Sequence, residues 1–233
     1  MTGPEREQLV FDLPVRPAFG REDFFVAEAN AMAVAQIDMW RAWPGSKFSL
    51  VGPAGAGKTH LAHVWQEESG GRIVAATALA QAEIPDLADR PVCVEDVGAI
   101  AGDADGEAAL FHLHNLVLAE GHALLMTAHV PPAQLGLQLP DLASRLMGTQ
   151  FVRLSAPDDA LLGAVMAKLF HDRQLDPAPQ VIPYLVRRMP RSFASARRLV
   201  GEIDRQALSR RSRVTLPLAR ETLSRLEPET DDD

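Results

Sequence analysis

Little about this chain suits secretion or a membrane. It carries a single cysteine, Cys93, so no disulfide can form within it, and a reducing, cytoplasmic setting is the expectation. No apolar run approaches the ~20 residues that a membrane-spanning helix needs. The opening MTGPEREQLVFDL is charged and lacks the apolar stretch of a secretory leader. Basic residues are also in deficit, 23 against 31 acidic ones, for a net charge of −8. A field of that sign repels a nucleic-acid backbone, whose generic affinity comes from neutralisation by lysine and arginine, so direct DNA binding is expected to be weak. The deficit is uneven: Arg187, Arg188, Arg191, Arg197, Arg198, Arg205, Arg210, Arg211 and Arg213 crowd the last third. Solvated helix faces are the plain reading of that cluster; a surface turned to a nucleotide or a partner is the alternative. The acidic end, Glu227 to Asp233, reads as a frayed tail.

What is present is ordinary globular material, 47% hydrophobic and 23% charged over 233 residues. That is enough for one α/β domain and a small second one. Residues 1–20, with Pro4, Pro14 and Pro17, read as an extended arm. From Asn30 to Trp43, the row Met32, Ala35, Ile37, Met39 and Trp40 predicts a helix closed by Pro44-Gly45. Strands are expected at Lys47 to Val51, Arg72 to Ala76, Pro91 to Glu95, Ala123 to Thr127 and Gln150 to Leu154. Between them, helical spacing runs through Leu61, Val64 and Trp65, then over Glu107 to Glu120 and Leu142 to Met147. This alternation predicts a parallel sheet covered on both faces. Beyond Ser155 the pattern is helical: Asp158 to Arg173, Gln180 to Met189, Ser192 to Arg210 and Pro217 to Leu226. The expected organisation is an arm (1–20), an α/β core (21–154), a small all-helical domain (155–226) and the tail (227–233).

The chemistry starts at Gly52-Pro53-Ala54-Gly55-Ala56-Gly57-Lys58-Thr59, which matches G-x-x-x-x-G-K-[ST] between a predicted strand and a predicted helix. Glycines let backbone N–H groups turn towards phosphate oxygens, and the start of the following helix adds partial positive charge. Lys58 is expected on the β- and γ-phosphates and the Thr59 hydroxyl on Mg²⁺; His60 follows directly and is grouped with the cradle. ADP or ATP with Mg²⁺ is the implied ligand.

Val92-Cys93-Val94-Glu95-Asp96 is an apolar strand ending in two carboxylates, the form of a Walker B segment. Parallel sheets place function at the carboxyl ends of their strands. One carboxylate would hold Mg²⁺, for which Glu95 stands first, and Asp96 would orient an attacking water. The usual order has aspartate first. The extra methylene of Glu95 disturbs the octahedral shell Mg²⁺ demands, so independent hydrolysis is expected to be weak. Thr127, at the end of the next strand, can sense a γ-phosphate. Arg145, in Leu139-Pro-Asp-Leu-Ala-Ser-Arg-Leu146, is either a surface arginine pairing with Asp141 or a finger projected into a neighbouring nucleotide site. Arg197, on a C-terminal helix, is a second candidate for the phosphates.

Taken together, GPAGAGKTHL, VCVED, Ile100-Ala-Gly-Asp103, LLMTAHVPPAQL and above all LPDLASRL resemble the Hda family, AAA+ relatives of the ATPase domain of DnaA. The resemblance runs over roughly residues 8–226. It implies a P-loop AAA+ core with a helical lid, bound ADP or ATP, and two partners: DnaA and the DNA-loaded sliding clamp, the β subunit of DNA polymerase III. It further implies that Arg145 is an arginine finger acting on ATP bound to DnaA, and that Arg197 is the sensor II arginine. Gln8, Leu9, Phe11 and Leu13 resemble a clamp-binding peptide, whose apolar anchors suit an extended arm docking into a groove. Val26 and Asn30 resemble the segment beside the adenine. Asp12 departs from the family pattern, as does the Glu95-Asp96 order. DnaA proper continues into a DNA-reading domain after the lid, and the end of this chain at residue 233 favours a regulator over an initiator. A self-sufficient AAA+ ATPase of the helicase-loader kind is the alternative, and assembly with further copies stays open.

The histidine pairs His60/His63 and His112/His114 lack further ligands at zinc spacing and read as surface or half-buried side chains. Trp40, Trp43 and Trp65 read as core or interface aromatics.

Overall fold

Five short strands rich in valine and leucine pair side by side in the computed structural model, which describes residues 28–210 and 212–226. They are β1 (Lys47–Val51), β2 (Arg72–Ala75), β3 (Val92–Glu95), β4 (Leu124–Ala128) and β5 (Phe151–Arg153), in the order β2-β3-β4-β1-β5. Every pairing is parallel. The helices of this unit are α1 (Glu28–Asp38), α2 (Lys58–Ser69), α3 (Ile84–Leu87), α4 (Ala104–Ala119) and α5 (Pro140–Met147).

Successive side chains on a strand point to opposite faces, and the core divides accordingly. Phe48, Leu50, Cys93 and Leu125 pack with α1 and α2, whereas Val92, Val94, Leu124 and Met126 pack with α4 and α5. Covered on both sides, the inner strands are buried on both faces and mostly apolar, with Ser49 and Thr127 as buried polar exceptions, which is why they are legible as a parallel sheet. The α/β expectation holds.

α1 buries a different face from the one its sequence suggested. Asn30, Ala33, Val34 and Ile37, at i, i+3, i+4 and i+7, are the buried row, while Met32 and Met39 are 66% and 57% exposed. The helix also stops at Asp38, and Trp40–Ala42 form a separate 3₁₀ turn. A methionine carries almost no positional information, so the row that included two of them was rotated off the true face. The tryptophans sit behind it. Trp43 stacks on Phe48 at 5.1 Å and on Trp65 at 6.1 Å, and Trp40 meets Trp65 edge-on at 6.2 Å.

One compact unit ends at Ala156 and the other begins at Pro157. The second contains α6 (Asp159–Asp172), α7 (Val181–Val186), α8 (Phe193–Arg210) and α9 (Leu216–Leu226). Asp158 caps α6 by accepting a 2.7 Å bond from the Leu161 amide. Leu162, Met166, Phe170, Leu185, Val200 and Ile203 form its core. Among the described residues no helix is long and apolar enough to cross a membrane.

Candidate phosphate-binding site

The turn between β1 and α2 is shaped by glycine at three positions. Gly55 and Gly57 have φ of 75° and 99°, left-handed values that other residues rarely adopt. Gly52 is required for a different reason: a Cβ there would lie 2.4 Å from the Leu154 carbonyl oxygen, a backbone atom that cannot step aside. The Gly52 N–H donates to the Ala128 carbonyl at 3.1 Å, tying the start of the loop to the end of β4. Ala56 is buried and packs with the core, while Pro53 and Ala54 are exposed. The Leu61 amide donates to the Gly57 carbonyl at 3.0 Å, closing the first turn of α2. Helix geometry leaves the amides ahead of it without intrahelical acceptors, facing the loop.

Lys58 folds over this turn. Its Nζ donates to the Gly52 carbonyl at 2.7 Å and to the Pro53 carbonyl at 2.9 Å. Burial lowers its pKa, while Asp96 and then Glu95 raise it, so both carboxylates are within electrostatic reach of the ammonium. Thr59 is exposed at the first turn of α2, and His60 turns inward, only 8% exposed.

The acidic pair sits at the carboxyl end of β3. Glu95 is half-buried, and its Oε1 is buried with no hydrogen-bond partner among the described residues. Asp96 follows in a left-handed conformation, φ 56°, and is exposed. Its N–H donates to Thr127 Oγ1 at 3.0 Å. Thr127 is 2% exposed and lies one residue inside β4, which runs on to Ala128. Its oxygen therefore joins two strand ends, leaving the hydroxyl proton available to another acceptor. His129, just beyond β4, holds Nε2 3.6 Å from Asp96 Oδ1. The orphaned Glu95 oxygen and the exposed Thr59 hydroxyl are an oxygen-donor set suited to Mg²⁺, which takes few protein ligands and keeps several waters. Cys93 is fully buried in mid-strand, with its thiol pKa raised by desolvation and then by Glu95, and is a small core hydrophobe.

Arg145 belongs to the other edge of the sheet. The Nζ of Lys47, the first residue of β1, donates to the Arg145 carbonyl at 2.7 Å. The phosphate loop follows Val51 at the far end of the same strand. At ~3.3 Å per residue the two ends of β1 lie about 13 Å apart. The loop, Glu95, Asp96 and Thr127 thus come together, and Arg145 does not join them. No ion pair with Asp141 forms among the described residues; the guanidinium lies over the Phe111 ring, 5.3 Å from its centroid.

Arg197 is on α8, half-buried beside the buried Ala196. Several neighbouring arginines are internally neutralised. Arg191 pairs with Asp159 at 2.8 Å, Arg205 with Glu202, and Arg210 and Arg225 share Glu221, each at 2.6 Å. Gln8, Leu9, Phe11, Leu13 and Val26 lie outside the described residues.

No protein-family model matches the sequence. The folded chain is similar to solved structures. Domain III of the replication initiation protein DnaA from Thermotoga maritima matches with a TM-score of 0.76 at 18% identity, over 93% of this chain and 100% of that one. This is a DnaA-like AAA+ fold. AMPPCP-bound DnaA from Aquifex aeolicus gives a TM-score of 0.67 at 20% identity, over 81% of this chain and 65% of that one. The FIGL-1 AAA domain in complex with ADP gives 0.64 at 15%, over 89% and 84%.

Within the AAA+ fold, sequence reading missed His129, Lys47, Phe111, His114 and Glu107 as site neighbours. Glu107, Phe111 and His114 recur at i, i+4 and i+7, a signal of one shared helix face, although their mixed chemistry hid it.

Proposed function

We propose that the protein is an adenine-nucleotide-binding regulator of replication initiation that stimulates hydrolysis of DnaA-bound ATP together with the DNA-loaded sliding clamp. The observation that carries this reading is the separation of Arg145 from its own phosphate loop across the sheet. An arginine held at that edge is of no use to its own cradle and is available to a nucleotide bound by a second molecule.

In the cradle, the loop amides and Lys58 would hold the phosphates of ADP or ATP, and Thr59 with Glu95 would hold Mg²⁺. When bound, Mg²⁺ neutralises phosphate charge. Arg197 is the lid arginine in this reading. Because Glu95 precedes Asp96, the bound nucleotide serves mainly to organise the regulator. Gln8, Leu9, Phe11 and Leu13 would anchor the chain to the clamp, and their replacement by alanine is expected to abolish clamp pull-down. The internally paired arginines of the helical unit fit a protein that relies on the clamp to reach DNA.

The deciding experiment follows ATP hydrolysis by DnaA with and without this protein and DNA-loaded clamp. Acceleration that needs both supports the reading; an unchanged rate removes it. A second reading, a self-sufficient ATPase of the helicase-loader kind, is favoured by the way Thr127 and His129 brace Asp96 beside the cradle. It requires substantial turnover by the purified protein, lost in Asp96→Asn.

A further inference from the structure

α5, which carries Arg145 in its last turn, is gripped at both ends by side chains from neighbouring elements. At its start, the buried carboxylate of Glu107 on α4 accepts from the amides of Gln138 and Leu139, with a closest approach of 2.6 Å, and from that of Gly102 at 2.8 Å. At its end, Lys47 donates to the Arg145 carbonyl and lies 3.3 Å from Nε2 of His114, also on α4. His114 is 2% exposed, and its Nδ1 lies 3.3 Å from Asn115 Oδ1. That pair of neighbours fits a neutral ring that donates from Nδ1 and accepts the lysine at Nε2. Between the two grips, the Phe111 ring supports the exposed guanidinium.

We infer that Phe111 and Lys47 are positioning residues for Arg145, holding its guanidinium and its backbone in the pose in which it meets a partner's nucleotide. This rests on the finger reading of Arg145 and adds how the finger is aimed. A long arginine side chain on an open surface samples many rotamers, and each must be given up when it engages phosphate. A ring beneath the guanidinium and a lysine on the carbonyl remove part of that freedom beforehand. The gain belongs to the step in which charge develops, so it falls on the maximal stimulated rate and leaves the encounter between the two proteins untouched.

The test compares Phe111→Leu, Phe111→Tyr, Lys47→Met and Arg145→Ala in stimulated ATP hydrolysis by DnaA with DNA-loaded clamp, titrating this protein. Arg145→Ala is expected to remove about 10³-fold. Phe111→Leu and Lys47→Met are expected to lower the maximal rate by about 3- to 10-fold at unchanged half-saturation and unchanged ADP affinity, and Phe111→Tyr to retain it. Equal maximal rates for Phe111→Leu, Lys47→Met and wild type overturn the positioning role while Arg145→Ala is still defective. An active Arg145→Ala protein removes the finger reading itself. In arginine-labelled wild-type protein the Arg145 δ protons should show an upfield ring-current shift in NMR; their absence from that position overturns the Phe111 role even where a variant fails to fold.

Discussion

The two edges of the central sheet are built from different materials. At the carboxyl edge, the cradle is mostly backbone: a loop whose shape follows from Gly52, Gly55 and Gly57, leading into the first turn of α2. At the amino edge, Arg145 is held by side chains from β1 and α4, with α5 only presenting it. A backbone site is encoded by adjacent residues and tolerates change around it, whereas a side-chain site depends on partners scattered over nearly a hundred positions. In the proposed function, the first edge holds a ligand and the second presents a charge.

That contrast gives its own tests. The largest expected effect is at the amino edge: Arg145→Ala should leave ADP affinity unchanged and lower stimulated hydrolysis by about 10³-fold. A matching loss of ADP affinity would merge the two edges into one site and break the comparison. At the carboxyl edge, Lys58→Ala should weaken ADP and ATP binding by about 10²-fold, read by calorimetry, because charge-assisted bonds to phosphate disappear. Its thermal midpoint without nucleotide should move little, since the two bonds lost, to the Gly52 and Pro53 carbonyls, leave acceptors that water can reach.

Glu107 provides a stability test. It is 1% exposed, and Glu107→Ala strands amides that now share a carboxylate, at a cost of about 3 kcal/mol in denaturant unfolding. Burial pushes its pKa up, but bonds from the Gly102, Leu139 and Gln138 amides outweigh this and hold it below 4.5. Its contribution is therefore complete above pH 4.5 and fades as pH falls through the folded value.

The smallest effect is confined to mild acid. Burial, then Lys47, pull the His114 pKa from 6.5 down to about 4. The unfolded chain takes up a proton first, so the contribution of His114 to stability is constant above pH 6.5 and is lost as pH falls from 6.5 towards 4. His114→Gln should flatten that slope. An unchanged slope would show that the amino edge does not depend on a neutral ring.

Much of the carboxyl edge was legible in the sequence because its information is local. Gly52 to Thr59 announce a phosphate loop by spacing alone, and Val92 to Val94 read as a buried strand because nothing polar interrupts them. Thr127 was visible as a polar residue near a strand end, but its bond to the Asp96 amide depends on which strands are neighbours. The amino edge was harder. Lys47 looked like the polar start of a strand and Phe111 like one more core position, since only the placement of α5 beside α4 and β1 gives either a task. α1 misled for another reason: Met32 and Met39 count as apolar in any pattern, yet both are exposed.

The burial of Cys93 has a practical consequence. Its sulfur is walled into the middle of a strand and is the chain's only thiol, so folded protein offers nothing to maleimide reagents. A cysteine introduced on the surface beside either edge will react alone, and fluorophores or spin labels can report on both without first altering the native sequence.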